Sequence, residues 1–141
     1  MSMNGIFDTT INLLGKSLDL RAQNHNRISA NIANAETPGY TPTALSFEKE
    51  LQGALRSKGG EATASLTNQR HIPLRGAVGT LDLVQGSVVE TPASSPGLDG
   101  NGVELENEMG RMVENQIMYN ANVQFLNKKF MTLTTAIKGG L

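Results

Sequence analysis

The residues of this chain that could carry chemistry are few and scattered. Asp99-Gly100-Asn101 has the alternating oxygen donors that open a calcium-binding loop. Such a loop needs Gly at its sixth position and a bidentate Glu at its twelfth, and here those positions hold Glu104 and Gly110. Helix capping accounts for the stretch better. Glu104, Glu106 and Glu108 supply carboxylates for acid-base work, but alternate spacing spreads them around a helix, and acids in a first turn ordinarily serve the positive end of the helix dipole. His25 and His71, the two imidazoles, lie in different segments. With no Cys and no His/carboxylate pair at ligand spacing, neither a zinc site nor a nucleophile-base pair is expected. Gly59-Gly60 and Gly76-Ala77-Val78-Gly79 lack the strand-to-helix setting and the Lys of a phosphate loop, so they read as turns. The reading is of a chain with no catalytic, cofactor-binding or metal site and no small-molecule substrate.

Composition narrows the class further. The 141 residues carry a formal charge of -1, with 38% hydrophobic and 4% aromatic residues and no Cys or Trp. That length allows one domain, but the core material is thin and sits at the two ends, so a marginal or partly disordered monomer is expected. Near-zero charge removes the electrostatic footprint of a nucleic-acid or anionic-membrane binder. No apolar run approaches the roughly 18 to 20 residues that span a bilayer. Met1 to Leu20 lack a basic n-region and include Asp8, so they do not read as a cleaved signal. Taken alone, that favours the cytoplasm.

The strongest element is at the C-terminal end. Leu105, Met109, Met112, Gln116, Tyr119, Val123, Leu126, Phe130, Leu133 and Ile137 alternate spacings of four and three, the a/d repeat of a coiled-coil seam. The repeat predicts one helix over Val103 to Lys138, a rod roughly 50 Å long. Asn101 is expected as its N-cap, with Glu104 completing a capping box, and Gly139-Gly140 as its stop. Phe7, Ile11, Leu14, Leu18, Arg21, His25, Ile28, Ile32 and Ala35 repeat the spacing at the other end, predicting a helix from about Ile6 to Asn34. The fold class is therefore mainly α: two long terminal helices pairing as a coiled-coil-like hairpin around a loose middle of loops and short β-strands. The expected boundaries are 1–36 for the first helix, 37–100 for the middle and 101–141 for the second.

Thr37-Pro38-Gly39-Tyr40 suits a type II turn, because Pro38 presets φ at the second position and Gly39 accepts the positive φ of the third. Pro42 then forbids a quick return to helix. Phe47 to Leu55 predicts a short helix, followed by a flexible break at Ser57-Lys58-Gly59-Gly60. Between Glu61 and Pro96, the glycines and Val88-Val89 suggest short strands or an extended hairpin, and Thr91 to Gly97 reads as a linker.

Both predicted helices are rich in amides: Asn24, Asn26, Asn31 and Asn34 in the first; Asn107, Asn115, Gln116, Asn120, Asn122, Gln124 and Asn127 in the second. Ala, Glu or Lys would favour helix more. Two readings stand side by side: solvated surface, or uncharged subunit contacts that many copies can repeat without repulsion. On the second, Asn115 and Asn122 would lie between subunits.

Ser29-Ala30-Asn31-Ile32-Ala33-Asn34-Ala35-Glu36-Thr37-Pro38-Gly39-Tyr40 closely resembles the N-terminal signature of bacterial flagellar rod and hook proteins. The short length, Asn68-Gln69-Arg70-His71-Ile72 and the run Leu98 to Glu106 are most similar to the proximal rod proteins. The resemblance covers both ends well and the middle poorly. It implies a structural subunit and no enzyme: a chain passed unfolded through the flagellar type III export apparatus without a cleaved signal, then assembled in the periplasm as a helical tube. That tube would transmit torque and continue the export channel. Asn31, Ile32, Ala33, Asn34, Thr37, Pro38, Gly39 and Tyr40 would be its signature and turn. Ile11, Leu14, Leu18, Ile28, Ile32, Leu105, Met109, Met112, Tyr119, Val123, Leu126, Phe130, Leu133 and Ile137 would pack its helices and copies. Partners implied are other copies, neighbouring rod proteins and the adaptor joining rod to membrane ring. The alternative is a cytoplasmic helical-hairpin adaptor or chaperone that grips one amphipathic partner helix.

Overall fold

The computed structural model describes residues 9–56 and 81–139. The expected helix start at Ile6, Phe7, the break at Ser57 to Gly60, the segment Asn68 to Ile72, the glycine turns at 76–79 and Gly140 lie outside the described residues. The architecture is mainly helical: α1 (Thr9–Ala33), β1 (Thr43–Ser46), α2 (Glu48–Arg56), β2 (Ser87–Glu90) and α3 (Leu105–Ile137).

Helix α1 ends in stacked turns. The Asn34 N–H donates to Ala30 O at 3.1 Å, the Thr37 N–H to Asn34 O at 3.0 Å and the Tyr40 N–H to Thr37 O at 3.3 Å. Gly39 takes φ 69°, the conformation a type II turn demands after Pro38. The chain then runs extended through Pro42, which cannot continue a helix, into β1. This strand has no counterpart among the sequence expectations. Four residues with one β-branched side chain are too short to show a period of two. Antiparallel pairing sets Thr43 against Glu90, Ala44 against Val89, Leu45 against Val88 and Ser46 against Ser87. Val88-Val89 thus form a strand as expected. Its partner precedes α2 instead of lying within 61–96; of that range, 61–80 is outside the described residues.

The sheet and α2 lean on α1. Leu20, Leu45, Phe47 and Val84 form the buried cluster, with Leu51 and Ala54 packed against it. Burying side chains of this size contributes roughly 1.5 to 3 kcal/mol each. Gly86, at φ 71°, is required by the close approach of the chain: an added Cβ would lie 3.1 Å from both Leu45 Cγ and Phe47 Cβ.

The stretch read as a linker is laced down by backbone hydrogen bonds. The Thr91 N–H donates to Pro42 O at 2.9 Å, Ala93 N–H to Gly102 O at 2.8 Å, Gly102 N–H to Tyr40 O at 3.0 Å and Gly39 N–H to Asp99 O at 3.1 Å. These join the turn after α1 to the approach to α3. The N-cap of α3 is Glu104, in extended conformation and without a side-chain cap, so the expected capping box at Asn101 is not formed. Asn101 is buried and occupied elsewhere: its Nδ2 donates to Asn34 O at 3.0 Å and to Thr37 O at 2.6 Å, while its Oδ1 accepts the Val103 N–H at 2.7 Å. It adds a second donor to two carbonyls of the turn after α1, which also accept the Thr37 and Tyr40 N–H groups, and so ties that turn to the approach to α3. Helix α3 then returns antiparallel along α1, with Glu108 beside Asn31 and Asn122 beside Ser17.

Candidate assembly interface

A run of polar contacts lies between α1 and α3. Asn31, 0% exposed, has all four of its hydrogen-bonding positions filled. Its Nδ2 donates to Thr43 O and to Glu108 Oε2, each at 2.8 Å; its Oδ1 accepts the Thr43 N–H at 3.1 Å and the Tyr40 hydroxyl at 3.2 Å. Glu108, 2% exposed, also accepts from Arg111 Nη1 at 2.7 Å, and Arg111 Nη1 donates onward to Thr91 Oγ1 at 3.0 Å. One buried network therefore joins α1, the turn, β1, the laced segment and α3. Buried carboxylates persist when paired and hydrogen-bonded in this way.

Further along the pair, Asn115 Nδ2 donates to Arg21 O at 2.9 Å and Asn122 Nδ2 to Ser17 Oγ at 2.8 Å. The Arg21 guanidinium lies 5.4 Å from the centre of the Phe47 ring, within cation–π range. Asn24 Oδ1 accepts the Leu45 N–H at 3.0 Å. With Asn31, it lines the edge of β1 with side-chain amides in place of a third strand.

These contacts turn four of the helix amides inward, Asn115 and Asn122 among them, where a place between subunits was expected on the second reading. Asn24, Asn31, Asn115 and Asn122 are spent inside the chain, because α1 and β1 leave backbone and hydroxyl groups that need partners. Asn26, Gln116, Asn120, Gln124 and Asn127 are exposed. His25, expected at a seam position, is half-buried, and its seam neighbour Arg21 is the residue tied to Asn115 and Phe47.

The expected seam positions are covered along α1 but only in part along α3. On α1, Ile11 and Ile28 are buried, Leu14, Leu18 and Ile32 are half-buried, and Leu20 and Ser17 are buried without having been anticipated. On α3, Met112, Tyr119, Val123, Leu126 and Leu133 are half-buried. Leu105, Met109, Phe130 and Ile137 are exposed, and Glu108 and Asn115 are buried in their stead. The missed residues had a signal. Glu108, Asn115 and Asn122 recur every seven residues, as do Ser17, Asn24 and Asn31, a polar heptad on each helix beside the apolar one.

Of the signature residues, Asn31, Asn34, Thr37 and Tyr40 hold the turn. Asn34 Oδ1 accepts the Thr37 hydroxyl at 3.1 Å and its Nδ2 donates to Ala30 O at 2.8 Å. Ala33, Pro38 and Gly39 are exposed at its surface. No group of three or more metal-ligand side chains is found among the described residues, and no described helix is long and apolar enough to cross a membrane.

Residues 17–41, covering most of α1 and the turn, match the family model for the flagella basal body rod protein. The signature and the geometry it serves thus define the class: a flagellar basal-body rod protein. The relatives are more specific. The chain is 30% identical to the flagellar basal body rod protein FlgB of Salmonella typhimurium strain LT2 over 94% of its own length and 96% of the relative's. It is 33% identical to FlgB of Cereibacter sphaeroides over 94% and 97% of the two chains, and 28% identical to FlgB of Escherichia coli K12 over 94% and 96%. The protein belongs to the FlgB family of flagellar basal body rod proteins.

Proposed function

We propose that this chain is a structural subunit of the proximal rod, assembling with copies of itself and with neighbouring rod proteins into a helical tube. The observation that carries the reading is the surface α1 leaves uncovered on α3. Leu105, Met109, Val113, Ile117 and Phe125 are 46%, 55%, 59%, 61% and 61% exposed. At about 100° per residue, the first four advance roughly 40° at each step and Phe125 lies further round. The apolar surface therefore winds around the helix instead of forming one stripe. Exposed apolar residues on several sides of one helix suit burial by more than one neighbour. A cytoplasmic adaptor gripping one partner helix needs one stripe, so the rod reading fits the surface better than the adaptor reading.

Contacts that pair unlike faces of successive copies, with a rotation that does not close, build a helix instead of a ring. Packed helices around a hollow axis would transmit torque and continue the export channel. Export through the type III apparatus without a cleaved signal, a periplasmic position and contact with the adaptor that joins rod to membrane ring belong to the same proposal. Ordering a thin-cored chain at the growing tip, where neighbours cover α3, would restrain polymerisation beforehand.

Ile117→Glu tests it. At an exposed position in the free chain the substitution should leave the urea midpoint unchanged, and it should remove the chain from basal bodies and abolish motility. A motile strain with normal basal-body content of the variant would reject the proposal.

A further inference from the structure

Among the described residues, the β1–β2 ribbon has one edge capped by side chains and one edge without a partner. Thr43 uses both its N–H and its C=O on Asn31, and the Leu45 N–H goes to Asn24, so these residues face away from β2. In an antiparallel ladder, residues opposite one another share the same direction. Val88, opposite Leu45, and Glu90, opposite Thr43, therefore aim their backbone groups outward from the ribbon. Among the described residues no hydrogen bond reaches them. All four side chains of β2 are exposed, with Val88 at 52% and Val89 at 40% on opposite faces. Val88 continues the face on which Leu45 is buried, so a further strand there would extend an existing apolar surface.

We propose that the outer edge of β2 accepts an extended, basic segment of a different protein as a third, hydrogen-bonded strand. The inference rests on the rod reading above for where that partner is met. Backbone bonds to Val88 and Glu90 would supply attachment, and β-branched side chains over Val88 and Val89 would supply fit. Charge selects the partner. Glu50, Asp82 and Glu90 are exposed on and beside the ribbon, Glu50 accepting the Gly86 N–H at 3.0 Å, and Lys49 is an exposed cation of α2. Lys16 is held on the Asp82 carbonyl oxygen at 3.3 Å. A second copy pairing β2 with β2 would bring these acids together, whereas a segment carrying Lys or Arg would neutralise them.

Hydrogen exchange compares the purified full-length chain with the same chain in isolated basal bodies. The Val88 and Glu90 amides should exchange fast in the free chain and at least about a hundredfold more slowly in basal bodies, while Ser87 and Val89, bonded to β1, stay slow in both. Unchanged fast exchange at Val88 and Glu90 in basal bodies overturns the proposal. So does protection in the concentrated purified chain, which would mean that a second copy occupies the edge. Absence of the chain from basal bodies would sink the rod reading and this proposal with it. Val88→Pro provides the second arm, because it removes an outward N–H and leaves the β1 ladder intact. It should abolish motility while Val88→Thr retains it, and a motile Val88→Pro strain counts against strand addition.

Discussion

Replacing Asn31 by Ala removes one residue from the centre of the buried network, and the cost follows from what is left behind. The Thr43 N–H and C=O lose partners at 3.1 and 2.8 Å, and Glu108 Oε2 loses its donor at 2.8 Å. The Tyr40 hydroxyl, bonded at 3.2 Å on a half-buried side chain, can turn to water. A buried neutral group left unpaired costs about 1 to 3 kcal/mol, and a charged one more. Taking low values for the half-buried Thr43, the sum is about 4 kcal/mol. Total stability for a domain of this size is about 5 to 15 kcal/mol, so the variant should stand close to unfolding. Urea denaturation followed by circular dichroism is the assay. With a slope of about 1.5 kcal/mol per M, the midpoint should fall by 2 to 3 M. A double-mutant cycle with Glu108→Ala should return about 1 to 3 kcal/mol of coupling. A loss below about 1 kcal/mol, or strict additivity with Glu108→Ala, would refute the view that this network holds α1 to α3.

Gly86→Ala combines a positive φ with a Cβ 3.1 Å from two core atoms, so it should destabilise by about 2 kcal/mol, read as a lowered urea midpoint. A Cβ at Gly39 meets no atom within 4 Å, so the penalty of Gly39→Val is chiefly the backbone cost of about 1 to 2 kcal/mol at φ 69°. A small shift in thermal midpoint together with loss of rod assembly is expected, and a motile strain would overturn the assembly role of the turn. Asn115→Ala with Asn122→Ala should lower chain stability by about 1 to 3 kcal/mol, because both amides bond α1. Unchanged stability with weakened assembly would restore the subunit-contact reading.

The long helices are legible in the sequence because their apolar positions repeat over many turns, and the turn is legible because Pro38-Gly39 constrains φ directly. Which face of α3 meets α1 is not legible from apolar periodicity alone. Leu105 and Met109 follow the strongest hydrophobic period, yet Glu108 and Asn115 occupy the contact, since the groups facing them on α1 and β1 are polar. The polar heptads carry that information, and it emerges only when the two helices are set antiparallel. β1 is illegible for another reason. Its pairing is with residues 87–90, more than forty positions away, and its other edge is completed by side chains instead of a strand. Asn101 reads as a helix cap because amides before an apolar run usually cap it; here its Nδ2 is taken by the turn carbonyls of Asn34 and Thr37 and its Oδ1 by the Val103 N–H, ahead of the first turn of α3.

The polar seam between α1 and α3 also bears on how substitutions in this protein should be weighed. In an ordinary domain the most buried positions tolerate least. Here the free chain hides amides and displays Met109, Val113 and Ile117, so two separate constraints fall on one helix. Changes at Asn115 should be felt as soon as the chain folds, at any concentration. Changes at Ile117 should be silent in dilute solution and register only where copies crowd together. Selection would then act on successive residues of α3 at different moments in the life of the subunit, and a map of tolerance taken from purified monomer would record half of it.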